Sequence, residues 1–450
     1  MMKAETAQSY DLRVPRYTSY PTAPHFSAAV DGAVCATWLG ELDPAQPLSL
    51  YFHIPFCAEM CWFCGCYTKI VRRYSPVTDY LDTLLAEVDL VAGLLPGRFR
   101  ARHLHWGGGS PTMLRPEDWM RTVERLRQRF DVDPDAEIAV ELDPRTATEE
   151  YVAALAAAGV NRASIGVQDF DAEVQRAINR IQPYETTAQV IAWLRGHGIN
   201  GLNMDLMYGL PHQTMERVAA MADLAAGLRP DRVALFGYAH VPWMKSHQRL
   251  IDEASLPGAE QRWAQFETAS ERLLAAGYVA VGLDHFARPD DPLAVALADG
   301  RLRRNFQGYT TDDAAALLGF GGSAIGALPQ GYVQNAAPLG IWAKAVRAGR
   351  PATSRGFALA PEDRLRAALI ERLMCDMRID LAALCARFGV PDDHFDRELA
   401  GLDRLVGDGI VDVSGRTVRV TEQGRPLIRV VASAFDSYLG TGERRHARAV

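Results

Sequence analysis

Residues 53–66 read HIPFCAEMCWFCGC and place Cys57, Cys61, Cys64 and Cys66 within ten residues, in the spacing C-x3-C-x2-C-x-C. The whole chain of 450 residues has only seven cysteines, so this concentration belongs to the segment and not to the overall composition. Free thiols this close together oxidise easily, and binding to a metal as thiolates protects them. The segment therefore predicts a metal site.

The thiol spacing narrows the choice of metal. Three thiolates on one compact loop can hold three corners of a [4Fe–4S] cluster, whose fourth iron then needs another ligand. Structural zinc sites more often combine two separated Cys or Cys/His pairs, and no second pair of that kind occurs here. A disulfide is disfavoured because we expect no secretory signal in the polar N-terminal residues. The residues favour iron–sulfur and leave zinc and redox-active thiols as alternatives.

The cysteines follow an apolar, β-rich run at residues 48–54, which Pro55 ends. The predicted strands are 48–54, 103–106, 137–142, 162–167, 201–208 and 232–238. Helical patterns lie between them at 79–95, 116–130, 148–158, 184–197 and 214–228. This repeated alternation predicts an α/β fold with a parallel sheet and right-handed crossovers.

The remaining segments are predicted from local patterns. Residues 1–47 form an irregular arm with one short helix near 34–42; residues 259–276 are helical, 278–286 form one strand, and 289–330 are irregular. From about Ala360 helices precede a hairpin at 409–421, which resembles a winged-helix module. The expected domains are an arm at 1–47, an α/β domain at 48–290, a connecting and site-covering segment at 291–358, and a C-terminal helical domain at 359–450.

Composition indicates an ordinary globular protein, with 48% hydrophobic and 23% charged residues and a net charge of −7. This charge gives no basic field for nucleic acid, and the near balance of acids and arginines after residue 360 argues against a DNA-binding winged helix. No apolar run of about 18 residues predicts a membrane span. We therefore expect a cytoplasmic protein without nucleic-acid or membrane partners.

Polar residues and glycines occur where the predicted strands end. Residues 106–112 read WGGGSPT and follow the second strand, where glycines allow close backbone approach to a ligand or simply form a tight turn. The polar residues at or near strand ends are Glu141, Gln168, Arg180 and Asp205. Each alone could be a solvated side chain, but carboxyl ends of parallel strands share one edge of a sheet, which favours a common polar site.

The cysteine loop after the first strand of a βα series resembles that of the radical S-adenosylmethionine (SAM) enzymes. The resemblance implies a partial (β/α)6 barrel of the TIM type, with Cys57, Cys61 and Cys64 as ligands of a [4Fe–4S] cluster. The open iron would bind the amino and carboxylate groups of SAM, and electron transfer would release a 5′-deoxyadenosyl radical.

Further segments resemble one particular family of these enzymes. They are RYTSYPTA at 16–23, FCGC at 63–66, SIGVQDF at 164–170, DLMYGLP at 205–211, YAH at 238–240, LDHFARPDD at 283–291 and RNFQGYTT at 304–311. Together they resemble the oxygen-independent coproporphyrinogen III oxidase (coproporphyrinogen dehydrogenase) family over residues 10–439. The one departure noted is Ser110, where the family commonly has threonine, and the hydroxyl is kept.

This family resemblance implies two SAM molecules at one site. The cluster-bound SAM would contact Tyr51, Gly108, Glu141 and Ile325. The second SAM would contact Phe63, Gly109, Ser110, Gln168, Arg180, Asp205 and Ala239. Cys66 would lie near the second SAM without binding iron, and Gln307 would lie in the segment that faces the active site.

The implied reaction decarboxylates two of the four propionates of coproporphyrinogen III to vinyl groups, giving protoporphyrinogen IX in anaerobic haem biosynthesis. Arg16, Arg303 and Arg304 are candidate partners for the propionates, although each could equally be a solvated surface charge. A cellular electron donor and an unidentified acceptor are implied, and a monomer is expected.

The sequence leaves three alternative functions open. A haem chaperone would share the cysteine loop, but chaperones as a rule lack the RYTSYPT arm and the fourth cysteine, and both are present here. A different radical SAM enzyme that modifies haem or another tetrapyrrole would change the substrate-facing segments. A winged-helix regulator that senses iron–sulfur status is disfavoured by the charge balance.

Overall fold

The structure, a computed structural model, describes residues 9–10 and 12–440. The chain divides into two compact units. The cysteine-loop unit consists of His25–Asp205 and Asp312–Ala358 and contains residues 57–66. The terminal unit consists of Met1–Pro24, Leu206–Thr311 and Leu359–Val450.

The elements alternate along much of the chain. The strands are β1 (Leu48–Ile54), β2 (Phe56–Cys57), β3 (Lys69–Ile70), β4 (Arg100–Gly108), β5 (Asp131–Leu142), β6 (Arg162–Gln168), β7 (Gly201–Tyr208), β8 (Arg232–Gly237), β9 (Val279–Val281), β10 (His285–Ala287), β11 (Arg303–Asn305), β12 (Gly308–Thr310), β13 (Ala316–Phe320), β14 (Ile325–Leu328), β15 (Gly331–Asn335), β16 (Thr353–Ala358), β17 (Arg378–Asp380), β18 (Val411–Ser414) and β19 (Thr417–Val420). The α-helices are α1 (Gly32–Gly40), α2 (Ser75–Leu94), α3 (Pro116–Arg129), α4 (Glu149–Ala158), α5 (Ala172–Ala177), α6 (Tyr184–Gly196), α7 (Met215–Gly227), α8 (Ala259–Ala275), α9 (Pro292–Ala298), α10 (Leu339–Arg347), α11 (Pro361–Asp376), α12 (Leu381–Phe388), α13 (Asp396–Ala400), α14 (Asp403–Gly407) and α15 (Ile428–Ser433).

The main sheet of the cysteine-loop unit has the strand order β16-β15-β14-β13-β1-β4-β5-β6. The pairs β1–β4, β4–β5 and β5–β6 are parallel, so the prediction of a parallel sheet is confirmed for these strands. Phe52 of β1 is fully buried and stacks on Trp106 and Phe320, with ring centroids 4.7 and 5.0 Å apart. The strand that leads into the cysteines is therefore a central, rigid one.

The helices between these strands follow the expected signals. On α2, Val77, Leu81, Leu84 and Val88 are fully buried and recur every three or four residues, which is the periodicity of one helix face. Thr148 caps α4 by accepting a hydrogen bond from the backbone N–H of Tyr151. No helix among the described residues is both long and apolar enough to cross a membrane.

The expectation of an irregular segment at residues 289–330 is wrong. This segment contains α9, β11, β12, β13 and β14. In the cysteine-loop unit, β13 pairs in parallel with β1, in the register Leu48↔Ala316 to Phe52↔Phe320. Such short strands carry little periodicity of their own, and partners far away in the sequence stabilise them.

Glu87 of α2 holds the connection that follows β13. Its side chain is buried and accepts hydrogen bonds from the backbone N–H of Gly321 at 2.7 Å and from Asn335 Nδ2 at 2.7 Å. Burial raises the pKa of Glu87 to about 7, although these hydrogen bonds act in the opposite direction. The network positions the turn that leads to Ile325, one of the residues implied to contact SAM.

In the terminal unit, the single strand expected at residues 278–286 is wrong. Two short strands, β9 and β10, pair antiparallel with each other, and β10 also pairs antiparallel with β8. Gly282, at φ +57°, lies in the turn between them. The prediction of one strand overlooked Gly282 and Asp284, which are typical turn residues on either side of Leu283.

The C-terminal hairpin prediction is confirmed by β18 and β19, which pair antiparallel, with β17 added on the other side of β19. The terminal unit also contains the RYTSYPT segment of the arm. Tyr17 donates a hydrogen bond to Asp436 Oδ2 at 2.9 Å, and Tyr20 shares one with Ser437 at 2.9 Å. Buried tyrosines thus attach this segment to the C-terminal residues of the same unit.

Candidate active site

The cysteine loop leaves the centre of the sheet directly after β1. Its two ends are joined because β2 and β3 pair in parallel, with Phe56 opposite Lys69 and Cys57 opposite Ile70. The middle of the loop is attached to residues 178–179: Trp62 N–H donates to Ile178 O at 2.9 Å, and Asn179 Nδ2 donates to Met60 O at 2.8 Å. Backbone hydrogen bonds therefore define the path of the loop.

Each of the three predicted ligand thiols has a polar neighbour. Cys57 Sγ shares a hydrogen bond with Thr68 Oγ1 at 3.1 Å, and Cys64 Sγ accepts one from the backbone N–H of Cys66 at 3.4 Å. Burial, together with the nearby Cys64 and Cys61 thiols, raises the pKa of the Cys57 thiol to about 11. A cationic metal group would offset this cost by stabilising the thiolates.

Two guanidinium groups meet at the third thiol. Cys61 Sγ accepts hydrogen bonds from Arg145 Nη2 at 3.3 Å and from Arg180 Nη1 at 3.4 Å. Asp143 joins both arginines, with Arg145 Nη2 at 2.7 Å from Oδ2 and Arg180 Nη2 at 3.3 Å from Oδ1. Burial tends to raise the pKa of Asp143, but the positive charges of Arg180 and Arg145 and hydrogen bonds from Arg145 hold that pKa below its usual range.

Glu141 stands next to this group at the end of β5. Its Oε2 accepts a hydrogen bond from Gly108 N–H at 3.0 Å, and its Oε1 lies 3.4 Å from His105 Nε2. Removal from water tends to raise the pKa of Glu141, but the interactions with His105 and Gly108 hold it below its usual value. An ionised carboxylate at this edge can accept hydrogen bonds from hydroxyl or ammonium groups.

The ends of β6 and β7 add further polar groups. Arg180 Nη2 donates to Gly166 O at 2.6 Å, and Gln168 is buried with φ at +72°. Ser164 Oγ lies 3.2 Å from Asp205 Oδ2, while Asn203 Nδ2 lies 2.8 Å from Oδ1 of the same carboxylate. The Nε of Arg180 is buried without a hydrogen-bond partner among the described residues, so it can donate to a bound anion.

The glycine segment packs tightly against the start of the cysteine loop. Gly109 N–H donates to Ile54 O at 2.9 Å, and Ser110 N–H donates to Phe56 O at 2.8 Å. Gly108 has φ +111°, and a Cβ there would lie 2.5 Å from the His53 ring. These glycines are required for the close packing of this segment against residues 53–56, independently of any ligand.

Comparisons with known proteins agree with this geometry. Residues 51–225 match the model of the radical SAM superfamily, and residues 359–427 match that of the HemN C-terminal domain. The oxygen-independent coproporphyrinogen III oxidase of Bradyrhizobium diazoefficiens is 51% identical over 450 residues, which is 100% of both chains. The chain belongs to the oxygen-independent coproporphyrinogen III oxidase family.

Two further relatives support the assignment. The oxygen-independent coproporphyrinogen III oxidase of Paracoccus denitrificans is 46% identical and covers 95% of each chain. The solved structure of coproporphyrinogen III oxidase from Escherichia coli, reported as a radical SAM enzyme, has a TM-score of 0.90 at 40% identity and covers 95% of this chain and 100% of that one. The predicted α/β fold of the radical SAM type is confirmed, and the observed sheet is consistent with a partial barrel.

Radical SAM enzymes use a [4Fe–4S] cluster and SAM, so these are the cofactors of the chain. The donor set fits them: three thiols on one loop for the cluster, and a buried guanidinium Nε for an anionic group of SAM. Within residues 9–10 and 12–440, no three Cys, His, Asp or Glu side chains converge closely enough to share one metal ion. The three ligands of a four-iron cluster bind three different iron atoms, so a cluster does not need such convergence.

The structure brings most of the predicted site residues to one region of the cysteine-loop unit. Gly108, Gly109, Ser110, Glu141, Gln168 and Arg180 lie at or after the ends of β4, β5 and β6, Tyr51 and Asp205 lie within β1 and β7, and Phe63 lies on the cysteine loop itself. Ile325 begins β14. Ala239 and Gln307 belong to the terminal unit, and the Oε1 of Gln307 is buried without a hydrogen-bond partner in the described part of the chain.

Sequence reasoning missed Asp143, Arg145, Thr68 and His53. Asp143 and Arg145 flank Pro144 directly after Glu141, and an acid and a base two residues apart at a strand end could have signalled a local ion pair. His53, which is buried and bonds through Nε2 to Tyr67 O at 2.9 Å, gave no signal because it alternates within an ordinary strand pattern.

Gly109→Ala is expected to displace the cysteine loop. A Cβ at this position would lie 2.6 Å from Thr68 Oγ1 and 2.7 Å from the backbone oxygen of Phe56, and a clash with backbone cannot be relieved by side-chain rotation. Overpacking of this kind costs about 1–3 kcal/mol. We expect a lower unfolding midpoint and less iron retained after reconstitution, measured by thermal denaturation and metal analysis.

Gly93→Ala is the matched control for this substitution, because Gly93 lies in α2 with nothing within 4 Å of an added Cβ. Alanine should be neutral or stabilising there. Equal behaviour of the two variants would contradict the packing argument.

Proposed function

We propose that the chain catalyses the oxidative decarboxylation of two propionates of coproporphyrinogen III to vinyl groups, forming protoporphyrinogen IX for haem synthesis. The observation that carries this proposal is the 51% identity over the full length of both chains with an oxygen-independent coproporphyrinogen III oxidase. The cysteine loop and the polar groups at the strand ends provide the chemistry that such a reaction needs.

The reaction balances for each propionate. One hydrogen atom leaves the carbon next to the pyrrole ring, the carboxylate departs as carbon dioxide, and one further electron passes to an acceptor. When bound, the cluster and SAM supply the 5′-deoxyadenosyl radical that takes the hydrogen atom. The chain's own residues bind and orient these groups and exclude water from them.

The observed contacts support individual roles for these residues. Cys57, Cys61 and Cys64 bind the cluster, and Cys66 lies close by as an exposed thiol that does not bind iron. The ionised Glu141 would accept hydrogen bonds from the cluster-bound SAM, and Tyr51, Gly108 and Ile325 would contact the same molecule.

A second SAM forms part of the proposal. The buried Nε–H of Arg180 would donate to the carboxylate of that molecule, and Asp205 would accept hydrogen bonds from its polar groups. The other contacts come from Phe63, Gly109, Ser110, Gln168 and Ala239. Gln307, with its buried amide oxygen, accepts a hydrogen bond from the substrate.

We also propose a cellular location, an oligomeric state and partners for the chain. A cluster held by thiolates needs a reducing compartment, which favours the cytoplasm. The chain acts as a monomer, takes electrons from a cellular donor, passes others to an acceptor, and binds neither nucleic acid nor membrane. The net charge of −7 supports the exclusion of nucleic acid.

An anaerobic turnover assay tests the proposed function. Reconstituted protein would receive a reductant, SAM, coproporphyrinogen III and a cell extract as electron acceptor, and the products would be separated by chromatography. We expect protoporphyrin IX after oxidation, with one 5′-deoxyadenosine for each vinyl group formed. Formation of 5′-deoxyadenosine without decarboxylated product would assign a different substrate, and tight haem binding with neither product would indicate a haem chaperone.

A further inference from the structure

The terminal unit contains a cavity of about 460 Å³ whose wall combines aromatic rings with guanidinium groups. The rings include those of Tyr208, Tyr238, Trp243, Trp263 and Phe266. The guanidinium groups are those of Arg13, Arg16, Arg262 and Arg429. Such a wall suits a flat, largely apolar ligand that carries anionic groups.

Backbone contacts hold these arginines in place. Arg16 Nη2 donates to Gly237 O at 3.3 Å, and Arg262 Nη1 donates to Tyr238 O at 2.9 Å. Arg304 lies directly behind Arg16, because its Nη2 donates to Arg16 O at 3.3 Å. A guanidinium group has five N–H donors, so the hydrogen bond from Arg16 to one carbonyl oxygen leaves other donors of that side chain for a ligand.

Positive charge exceeds negative charge in this group. Arg429 is 7% exposed, and its burial, together with the charges of Arg16 and Arg304, lowers its pKa to about 10. Asp284 is the nearby carboxylate, and it also accepts a hydrogen bond from His285 Nδ1 at 2.7 Å. Burial opposes ionisation of Asp284, but His285, Arg304 and Arg16 hold its pKa at about 2. Among the described residues that line the cavity, guanidinium groups outnumber carboxylates by four to two.

The other acid on the cavity wall, Glu253, does not balance this charge. Its side chain is 69% exposed and lies 3.0 Å from His240 Nε2. Within the described residues, no carboxylate lies within 4.0 Å of the guanidinium nitrogens of Arg16 or Arg304. A partly buried group of like charges is stabilised by an anion, and guanidinium groups pair best with carboxylates or phosphates.

We propose that Arg16 and Arg429 bind propionate carboxylates that the substrate keeps in the product. This proposal rests on the proposed function, which supplies a macrocycle with four propionates of which two remain. A carboxylate that leaves as neutral carbon dioxide loses its charge, so a strong guanidinium pair would stabilise its ground state and slow its departure. Charged anchors therefore suit the retained carboxylates, and the aromatic wall suits the pyrrole rings.

Equilibrium dialysis under anaerobic conditions would test whether Arg16 and Arg429 bind the propionates. SAM would be left out so that no turnover occurs. The ligands are coproporphyrinogen III, with four propionates, and mesoporphyrinogen IX, with two. Removal of a charge-assisted hydrogen bond by Arg16→Gln or Arg429→Gln should weaken the binding of both ligands about 10- to 100-fold. Arg16 is exposed, so Arg16→Gln tests the proposal even where Arg429→Gln fails to fold, which thermal denaturation would reveal.

Arg404→Gln is the matched control, because Arg404 belongs to the same unit but pairs with Asp408 and does not line the cavity. It should leave both dissociation constants unchanged. SAM also carries a carboxylate, and a weakened SAM affinity with unchanged porphyrinogen affinity would assign the arginines to SAM and overturn the proposal.

Two other outcomes separate this inference from the proposed function. If folded Arg16→Gln and Arg429→Gln bound the porphyrinogens as the wild type does, the proposed role of the two arginines would be overturned and the proposed function would stand. If the wild-type chain did not bind coproporphyrinogen III, the substrate named in the proposed function would be wrong, and the role of the two arginines would be overturned with it.

Discussion

Cys61→Ala is expected to lose the iron–sulfur cluster and all turnover, whereas Cys66→Ala is expected to keep the cluster. Cys61 is buried under two guanidinium groups in the middle of the loop, so its thiolate has a defined position. Cys66 is exposed and follows Cys64 after one glycine. Without Cys61, only two of the three predicted ligand thiolates remain to hold the corners of the cluster.

Iron and sulfide content after anaerobic reconstitution would measure this difference, together with the electron paramagnetic resonance spectrum of the reduced protein. Cys35→Ala is the control for thiol loss as such, because Cys35 lies buried in α1, away from the loop. Loss of the cluster from Cys66→Ala, or its retention in Cys61→Ala, would show that the three ligands are wrongly assigned.

Asp143→Asn should reduce the free energy of unfolding by about 3–5 kcal/mol, the range for removal of one partner from a buried ion pair. The side chains of Asp143 and Arg180 are 15% and 7% exposed, and Arg145 shares the same carboxylate. Without that negative charge, the buried guanidinium group of Arg180 and the partly buried one of Arg145 face each other beside Cys61. Denaturant titration of the protein before cluster reconstitution would measure the loss.

The pH dependence of this loss has a defined sign. The pKa of Asp143 is lower in the folded state than in the unfolded chain, where an aspartate has a pKa of about 3.9. Its stabilising contribution is therefore complete above that value and disappears as the pH falls through the lower folded-state pKa. The difference between wild type and Asp143→Asn should be constant near neutral pH and should shrink in acid.

Asp89→Asn provides the matched control, because Asp89 also pairs with two arginines, Arg125 and Arg129, but its side chain is 29% exposed, against 15% for Asp143. Exposed pairs contribute about 0–1 kcal/mol. If both variants lost the same stability, burial would not be the source of the effect.

The part of the fold that could be predicted is the part whose signals are local. From residue 48 to 228, the predicted strands contain apolar runs and the predicted helices carry apolar stripes, so most of their boundaries agree with the structure to within a few residues, although β5 begins earlier and β2 and β3 were not predicted. The reversal at Gly282 and the short strands after residue 300 were missed. Their few residues carry no periodicity, and pairing with distant strands decides them.

The candidate site also has features that local sequence predicts and features that only the tertiary structure shows. Amino-acid sequence by itself determined the cysteine spacing, the glycine segment and the polar residues at strand ends, because residues on one loop or at one sheet edge are close whatever the rest of the chain does. Only the tertiary structure decided that Asp143 joins two arginines against Cys61, and that Arg16 and Arg429 approach each other across more than 400 residues. Those contacts depend on burial and on the electrostatic balance between segments distant in sequence, which no local pattern encodes.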